Sequence, residues 1–218
     1  MKLRIFSIGI ILLLYIAGCT KTTMYTKLPD ETIGMLRLKY PCNDNMGNID
    51  RISKIEHFSD LKDYEELFDA VIVVTLTGEY FTGTTQEIEP FEGEQTSTTP
   101  VGPTSFTPLY HSAIVDEVIW NREGYLPEEE IVLGFSSTLA AEMLDYKNCF
   151  LGGQTYVLFV NHVDKENIGR IYSLNKITAY YVSDEGVVLS VTSEPGINEL
   201  TGVQLGDLKD AVTKVFKN

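Results

Sequence analysis

The stretch Ala70-Val71-Ile72-Val73-Val74-Thr75-Leu76-Thr77-Gly78-Glu79-Tyr80-Phe81 decides the fold. Its first five residues are small or β-branched and its second half alternates, which suits a pleated, half-buried surface and predicts a strand. A second apolar run, Gln154-Thr155-Tyr156-Val157-Leu158-Phe159-Val160, follows Gly152-Gly153. With a period of two, Tyr156, Leu158 and Val160 share one face and Val157 and Phe159 the other. Apolar residues on both faces require cover on both sides.

Outward from these two runs, strands are expected over Tyr110–Trp120, Glu128–Phe135, Arg170–Leu174, Ile177–Val182 and Val187–Val191. Asp184-Glu185-Gly186 makes the last two a hairpin. Thr32–Tyr40 mixes apolar and polar positions and is read as a further short strand. Ser59–Asp69 has an N-terminal serine, early acids and apolar Leu61, Leu67 and Phe68, the pattern of a helix. Thr138–Leu144 predicts a short helix between strands, with Ser136 or Ser137 as its cap. Asp207–Lys217 predicts a terminal helix whose Leu208, Val212 and Val215 must cover another surface, the apolar strand 154–160 being the best candidate. Pro41–Asp50 is turn-rich. Thr82–Ser105 is rich in Thr, Glu, Gly and Pro, and is expected to be a long mobile loop.

The expected fold class is therefore mainly β with flanking helices: three strands, a short helix and two more strands, the order of an OB-like five-stranded Greek-key barrel, with an extra hairpin and a C-terminal helix. Leu67–Val74 and Phe150–Val160 carry a more specific resemblance. They are similar to strands of bacterial extracellular OB-like modules of the netrin and metalloproteinase-inhibitor type, over roughly residues 60 to 195. The chain lacks the N-terminal cysteine framework through which animal inhibitors of that kind reach a protease metal, so the resemblance implies a fold and not protease inhibition.

Ile16-Ala17-Gly18-Cys19 follows basic Lys2 and Arg4 and an apolar run of about 14 residues. This order resembles the lipobox of bacterial lipoproteins, in which the cysteine is acylated and becomes the first residue of the mature chain. The run is too short for a bilayer core, which needs roughly 20 residues, and fits a signal h-region. The expected organisation is a signal peptide over 1–18, a polar tether over 19–31 and one extracytoplasmic domain over 32–218, with its core near 60–195 and the loop at 82–105. The resemblance implies palmitate or a similar acyl group on Cys19 and residence on the outer side of a cell membrane, or on the outer membrane of a Gram-negative host.

The sequence has 17 basic and 31 acidic side chains, a net charge of −14. Loss of Lys2 and Arg4 with the signal takes this to −16. Such a surface argues against nucleic acid as a partner, because phosphate binding needs a basic footprint. Of three cysteines, Cys42 and Cys149 remain beyond the lipobox. An even pair outside the cytoplasm permits one disulfide; its loop of over 100 residues would contribute ~4–5 kcal/mol in the chain-entropy model. Two small buried hydrophobes is the other reading.

No catalytic, metal or cofactor motif is present. His57, His111 and His162 stand outside any HExxH or tight His/Cys cluster. His162 and Asp164 lie two apart and can share a strand face, and Glu128-Glu129-Glu130 and Asp116-Glu117 are oxygen-rich, but acids on a solvated face explain them as well. Ser136 and Ser137 follow Gly134 without a GxSxG elbow, there is no SxxK motif, and Gly152-Gly153 opens a strand rather than a phosphate-binding helix. Trp120, Tyr125, Tyr180 and Tyr181 suit either a ligand surface or barrel packing. The expected function is a non-catalytic binding or structural lipoprotein whose partner is an envelope protein, peptide or glycan. The alternative is an envelope hydrolase or metal-dependent enzyme whose residues converge only in three dimensions; a two-lobed solute receptor ranks behind both, because the chain is short and lacks alternating strand–helix units.

Cys19→Ala in the native host is expected to abolish acylation, read as loss of the lipid mass on the intact protein, and to release the chain from the membrane fraction. Unchanged retention with residues 1–18 still attached to the wild-type protein would refute the lipobox reading.

Overall fold

The computed structural model describes residues 25–43, 55–83, 86–88, 104–106, 108–135, 149–165, 169–174 and 178–217. In chain order these form helix α1 (Asp30–Arg37), a 3-10 helix (Phe58–Leu67), strands β1 (Ala70–Thr82), β2 (Gln86–Ile88), β3 (Thr104–Phe106), β4 (Leu109–Asn121), β5 (Glu130–Phe135), β6 (Thr155–Lys165), β7 (Gly169–Leu174), β8 (Tyr180–Val182) and β9 (Val188–Ser190), and helices α2 (Pro195–Asn198) and α3 (Leu205–Phe216).

The main sheet closes on itself. It runs β1-β4-β5-β7-β6, and β6 pairs back onto β1. All ring pairings are antiparallel except β5–β7. Five strands in this order, with the third and fifth parallel, make the OB-type barrel expected from the sequence. β8 and β9 lie outside the ring as a hairpin. β6 carries both: Thr155–Val157 pairs with β8, Val160–Lys165 with β7. The ladder between β1 and β4 is irregular at Val71/Ile72, Val73/Val74 and Leu76/Tyr80. Extra residues of this kind bend a strand and raise its twist, which a small closed sheet needs.

β1 and β6 obey the two-residue period. Ala70, Ile72, Val74 and Leu76, with Tyr156, Leu158 and Val160, face the barrel interior beside Leu109, Ala113, Ile131, Leu133 and Tyr172. Val71, Val73, Val157 and Phe159 face outward into a second core beneath α3 and the 3-10 helix. Phe216 of α3 anchors this layer, its ring 4.7 Å from Trp120, 6.1 Å from Phe159 and 6.3 Å from Phe68, centroid to centroid. The terminal helix thus covers the outer face of β6, as the unpartnered apolar stripe required.

Four segments differ from expectation. The segment read as a strand over Thr32–Tyr40 contains α1. Asp30 and Glu31 occupy its first turn and Arg37 its last, complementing the helix dipole. Ile33 and Leu36 pack against the interior cluster, with buried Tyr40 beyond them, a helical i, i+3, i+7 spacing that short-range alternation conceals. Within the stretch expected to be a tether over 19–31, the Leu28 amide donates to the Gly202 carbonyl at 2.9 Å and α1 starts at Asp30. The helix expected over Ser59–Asp69 is a 3-10 helix ending at Leu67. Phe58 and Leu61 are buried, and Tyr64 and Leu67 pack against the same core; apolar residues at every third position line up when there are three residues per turn. Inside the expected loop over 82–105, Thr82 ends β1 and Gln86–Ile88 pairs with Thr104–Phe106. The helix expected over Thr138–Leu144, its Ser136 and Ser137 caps, and residues 1–24 with Cys19 lie outside the described residues.

The entry to β6 explains the double glycine. A Cβ on Gly152 would sit 2.4 Å from the Gly78 Cα, so two backbones meet where β1 crosses the start of β6. The Gly153 amide donates to the Leu76 carbonyl at 2.7 Å, and Leu76 donates back to Gln154 at 3.1 Å.

Leu158 is wholly buried in the barrel. Leu158→Ala is expected to cost ~2–5 kcal/mol and Phe216→Ala ~3–5 kcal/mol, read from urea unfolding. Removal of α3 is expected to expose the outer face of β6 and cause aggregation; a truncated chain that stays monomeric with an unchanged midpoint would contradict the packing.

Candidate functional site

A cluster of polar and aromatic groups lies at the barrel end where β1 begins and β4 ends. Asp69 immediately precedes β1. Its amide continues the ladder to the Val160 carbonyl at 2.8 Å, and its own carbonyl accepts from the Arg122 amide at 2.8 Å. Its side chain therefore projects at the junction of β1, β4 and β6. Oδ2 accepts from the His162 amide at 3.0 Å and lies 2.9 Å from His162 Nδ1. Oδ1 is 3.6 Å from Arg122 Nη1. Arg122 Nη2 also donates to the Phe68 carbonyl at 2.8 Å and the Glu65 carbonyl at 3.0 Å, tying the 3-10 helix to the same corner.

The turn after β4 brings an aromatic ring to His162. Tyr125 stacks on the imidazole with centroids 4.6 Å apart and planes 13° apart, and leans on Tyr172 at 6.2 Å. Asn121 Nδ2 donates to the Tyr125 carbonyl, and Gly124 adopts φ +79°, a conformation that favours glycine. The Arg170 guanidinium lies 6.0 Å from the Tyr125 centroid, 3.4 Å from Asp164 and 3.6 Å from Glu128. Burial pushes the Tyr125 hydroxyl well above the ordinary tyrosine range, and the neighbouring Tyr172 hydroxyl adds to the effect. Tyr125 thus stays protonated and serves as a stacking surface rather than a base.

A carboxylate on Nδ1 selects the tautomer with the proton on Nδ1 and leaves the Nε2 lone pair available. That is how many catalytic and metal-binding histidines are oriented. No group of three His, Cys, Asp or Glu side chains among the described residues is arranged to hold a metal ion. Asp164 faces Arg170 while His162 faces Asp69. The chemistry on view is an oriented hydrogen-bonding edge beside an aromatic plane.

The other residues singled out from the sequence are dispersed. His57 lies at the start of the 3-10 helix, where its amide donates to Asp60 at 2.8 Å. His111 is buried on β4 and stacks against Tyr80 at 5.5 Å. Asp116 accepts from Thr75 Oγ1 at 2.7 Å, and Glu117 pairs with Lys209. Glu128 faces Arg170, Glu129 lends its carbonyl to the Val115 amide, and Glu130 starts β5. Trp120 is packed under Phe216. Tyr180 is fully buried, its hydroxyl donating to the Ile197 carbonyl at 2.8 Å. Tyr181 is buried and donates to the Pro41 carbonyl at 3.2 Å. Of these four aromatic residues only Tyr125 belongs to the corner. Cys42 is exposed, Cys149 is buried, and the two sulfurs are not bonded to each other. Sequence reading missed Asp69, Arg122 and Arg170. The available signal was an acid placed directly before a buried strand and an arginine directly after its partner.

A second surface lies on the far half of β1 and on β4. Tyr80, Phe81 and Ile114 are each at least two-fifths exposed. Phe81 lies beside its cross-strand partner Tyr110 at 5.2 Å and Tyr80 beside His111; being consecutive in the strand, the two rings point to opposite faces of the sheet. Among the described residues no helix is long and apolar enough to cross a membrane. No protein-family model, curated protein or solved structure matches the chain significantly.

Asp69→Ala is expected to strand the His162 amide and ring together with Arg122, at a cost of ~1–3 kcal/mol. Asp69→Asn, which keeps an acceptor, is expected to cost less. Nitrogen NMR is expected to show neutral His162 protonated on Nδ1 in the wild type and shifted toward Nε2 in Asp69→Ala. An unchanged tautomer would show that Asp69 does not orient the ring.

Proposed function

We propose that this chain is a non-catalytic binding module tethered outside the cell membrane through acylated Cys19, and that its barrel exterior engages an envelope protein, peptide or glycan. One observation carries the binding reading: aromatic rings at Tyr80 and Phe81 stay exposed on the barrel exterior while the interior is packed with side chains. The interior is filled by side chains such as Leu76, Leu133, Tyr156, Leu158 and Tyr172. The outer faces of β6 and the first half of β1 are occupied by α3 and the 3-10 helix. Tyr80, Phe81 and Ile114 remain exposed on β1 and β4. OB-type barrels use their second and third strands and the loop between the first two for oligonucleotide or oligosaccharide ligands; the net charge of −14 disfavours the former. The lipobox order at Ile16–Cys19 supports the tether. The likeness to netrin-type modules supports the extracellular setting, without carrying over protease inhibition.

The Asp69–His162 pair favours a second reading, a hydrolase in which His162 Nε2 acts as base. A photo-crosslinking residue at Tyr80 or Phe81, expressed in the native host, is expected to give a discrete adduct that is absent when the probe replaces Glu123 in the turn after β4. Absence of adducts at both aromatic positions would refute binding at the far half of β1. Hydrolysis of dye-labelled peptidoglycan by the wild type but not by His162→Ala would establish the enzyme reading in its place.

A further inference from the structure

We propose that Cys42 and Cys149 are the two halves of a disulfide clasp, formed by thiol–disulfide exchange with a small or protein disulfide oxidant, that fastens the segment after α1 to the entrance of β6. Residues on both sides of Cys42 converge on Cys149. On one side, the Asn43 side-chain amide donates to Cys149 Sγ at 3.3 Å, while the Asn43 backbone amide is held by the Val191 carbonyl at 2.8 Å. On the other, the Pro41 carbonyl accepts from Tyr181 at 3.2 Å, and the same Tyr181 hydroxyl lies against the Cys149 thiol. Consecutive Cα atoms are only about 3.8 Å apart, so the Cys42 backbone is fixed beside the two residues that approach the Cys149 region.

The two cysteines differ in the way such exchange requires. Cys42 is exposed and Cys149 is 1% exposed, so an oxidant meets Cys42 first. The Cys42 thiolate attacks the oxidant disulfide, forming a mixed disulfide and expelling one reduced thiol. The Cys149 thiolate then attacks Cys42 Sγ, breaking the mixed bond and expelling the second thiol. The two protein thiols lose two protons and two electrons, and the oxidant disulfide gains them as two thiols. The Asn43 amide is a donor placed to stabilise the Cys149 thiolate in the second step. Cys149 is itself fixed, its carbonyl accepting from the Tyr156 hydroxyl at 2.7 Å. The expected oxidising compartment rests on the proposed location outside the membrane; the pairing does not.

The test is peptide mapping of the full-length chain, alkylated without reduction, before and after treatment with oxidised glutathione. Expected is a Cys42–Cys149 linked peptide two hydrogens lighter than its parts, and a thermal midpoint about 10 °C above the reduced form, from the loop closed. Cys149→Ala is expected to retain a glutathione adduct on Cys42, and Cys42→Ser to keep Cys149 unmodified until the protein is unfolded. A wild-type protein that keeps the glutathione adduct on Cys42, or links Cys42 to Cys19 or to a second copy, overturns the proposal. The same map reads the state of Cys19, so failure of acylation and failure of the clasp are seen separately.

Discussion

The β1–β6 pair is the constraint on which the other elements depend. The two strands are hydrogen-bonded from Ala70–Val160 to Thr75–Thr155, and along that length both carry apolar side chains on both faces. A pair of this kind cannot be left at a sheet edge or with one face in water. Closing the ring through β4, β5 and β7 shields the inner face, and α3 with the 3-10 helix shields the outer one. The close approach at Gly78 and Gly152 follows from the same pairing, because it leaves no room for a Cβ where β1 crosses the lead into β6.

Polar groups then lock the periphery onto this pair. At one end Asp69 gathers β4, β6 and the 3-10 helix through Arg122 and His162. At the other side Arg37 of α1 reaches the Ser190 carbonyl at 2.6 Å, its hydroxyl at 2.9 Å and Thr201 at 3.3 Å, so the N-terminal helix is fastened to the C-terminal part of the chain. Both arginines bond chiefly to backbone carbonyls and hydroxyls, four of these bonds being part-buried; part-buried bonds to a charged donor are stronger than exposed ion pairs. The surface pair between Lys39 and Asp184, at 2.8 Å and mostly exposed, holds little by comparison.

The proposed binding role rests on what this packing leaves uncovered. Filling the barrel removes its interior as a ligand cavity, and docking of α3 removes one outer face. Tyr80 and Phe81 stay outside because the pairing of β1 with β6 stops at Thr75, short of the strand's second half. Aromatic rings on a strand suit the proposed recognition, because they carry few rotatable bonds to be ordered on binding.

The apolar runs at 70–81 and 154–160 determined by themselves that both are strands, that the second would be buried on both faces, which of its residues share each face, and that a terminal amphipathic helix must cover one of them; a period of two or 3.6 and the need to remove apolar surface from water suffice for that. The hairpin at Asp184–Gly186 was equally legible, because turn chemistry is local. Thr32–Tyr40 misled because its apolar spacing satisfies a short strand as well as a helix, and only docking of Ile33, Leu36 and Arg37 on the C-terminal part of the chain selects the helix. In the same way a 3-10 rather than an α-helix at 58–67 is chosen by a core that accepts every third residue. The corner at Asp69 was not legible. Its members, Asp69, Arg122, Tyr125, His162 and Arg170, are scattered over a hundred residues, and no local spacing records that β1, β4 and β6 begin and end at one place. Closure of the ring decides that, since non-local strand pairing alone brings those ends together.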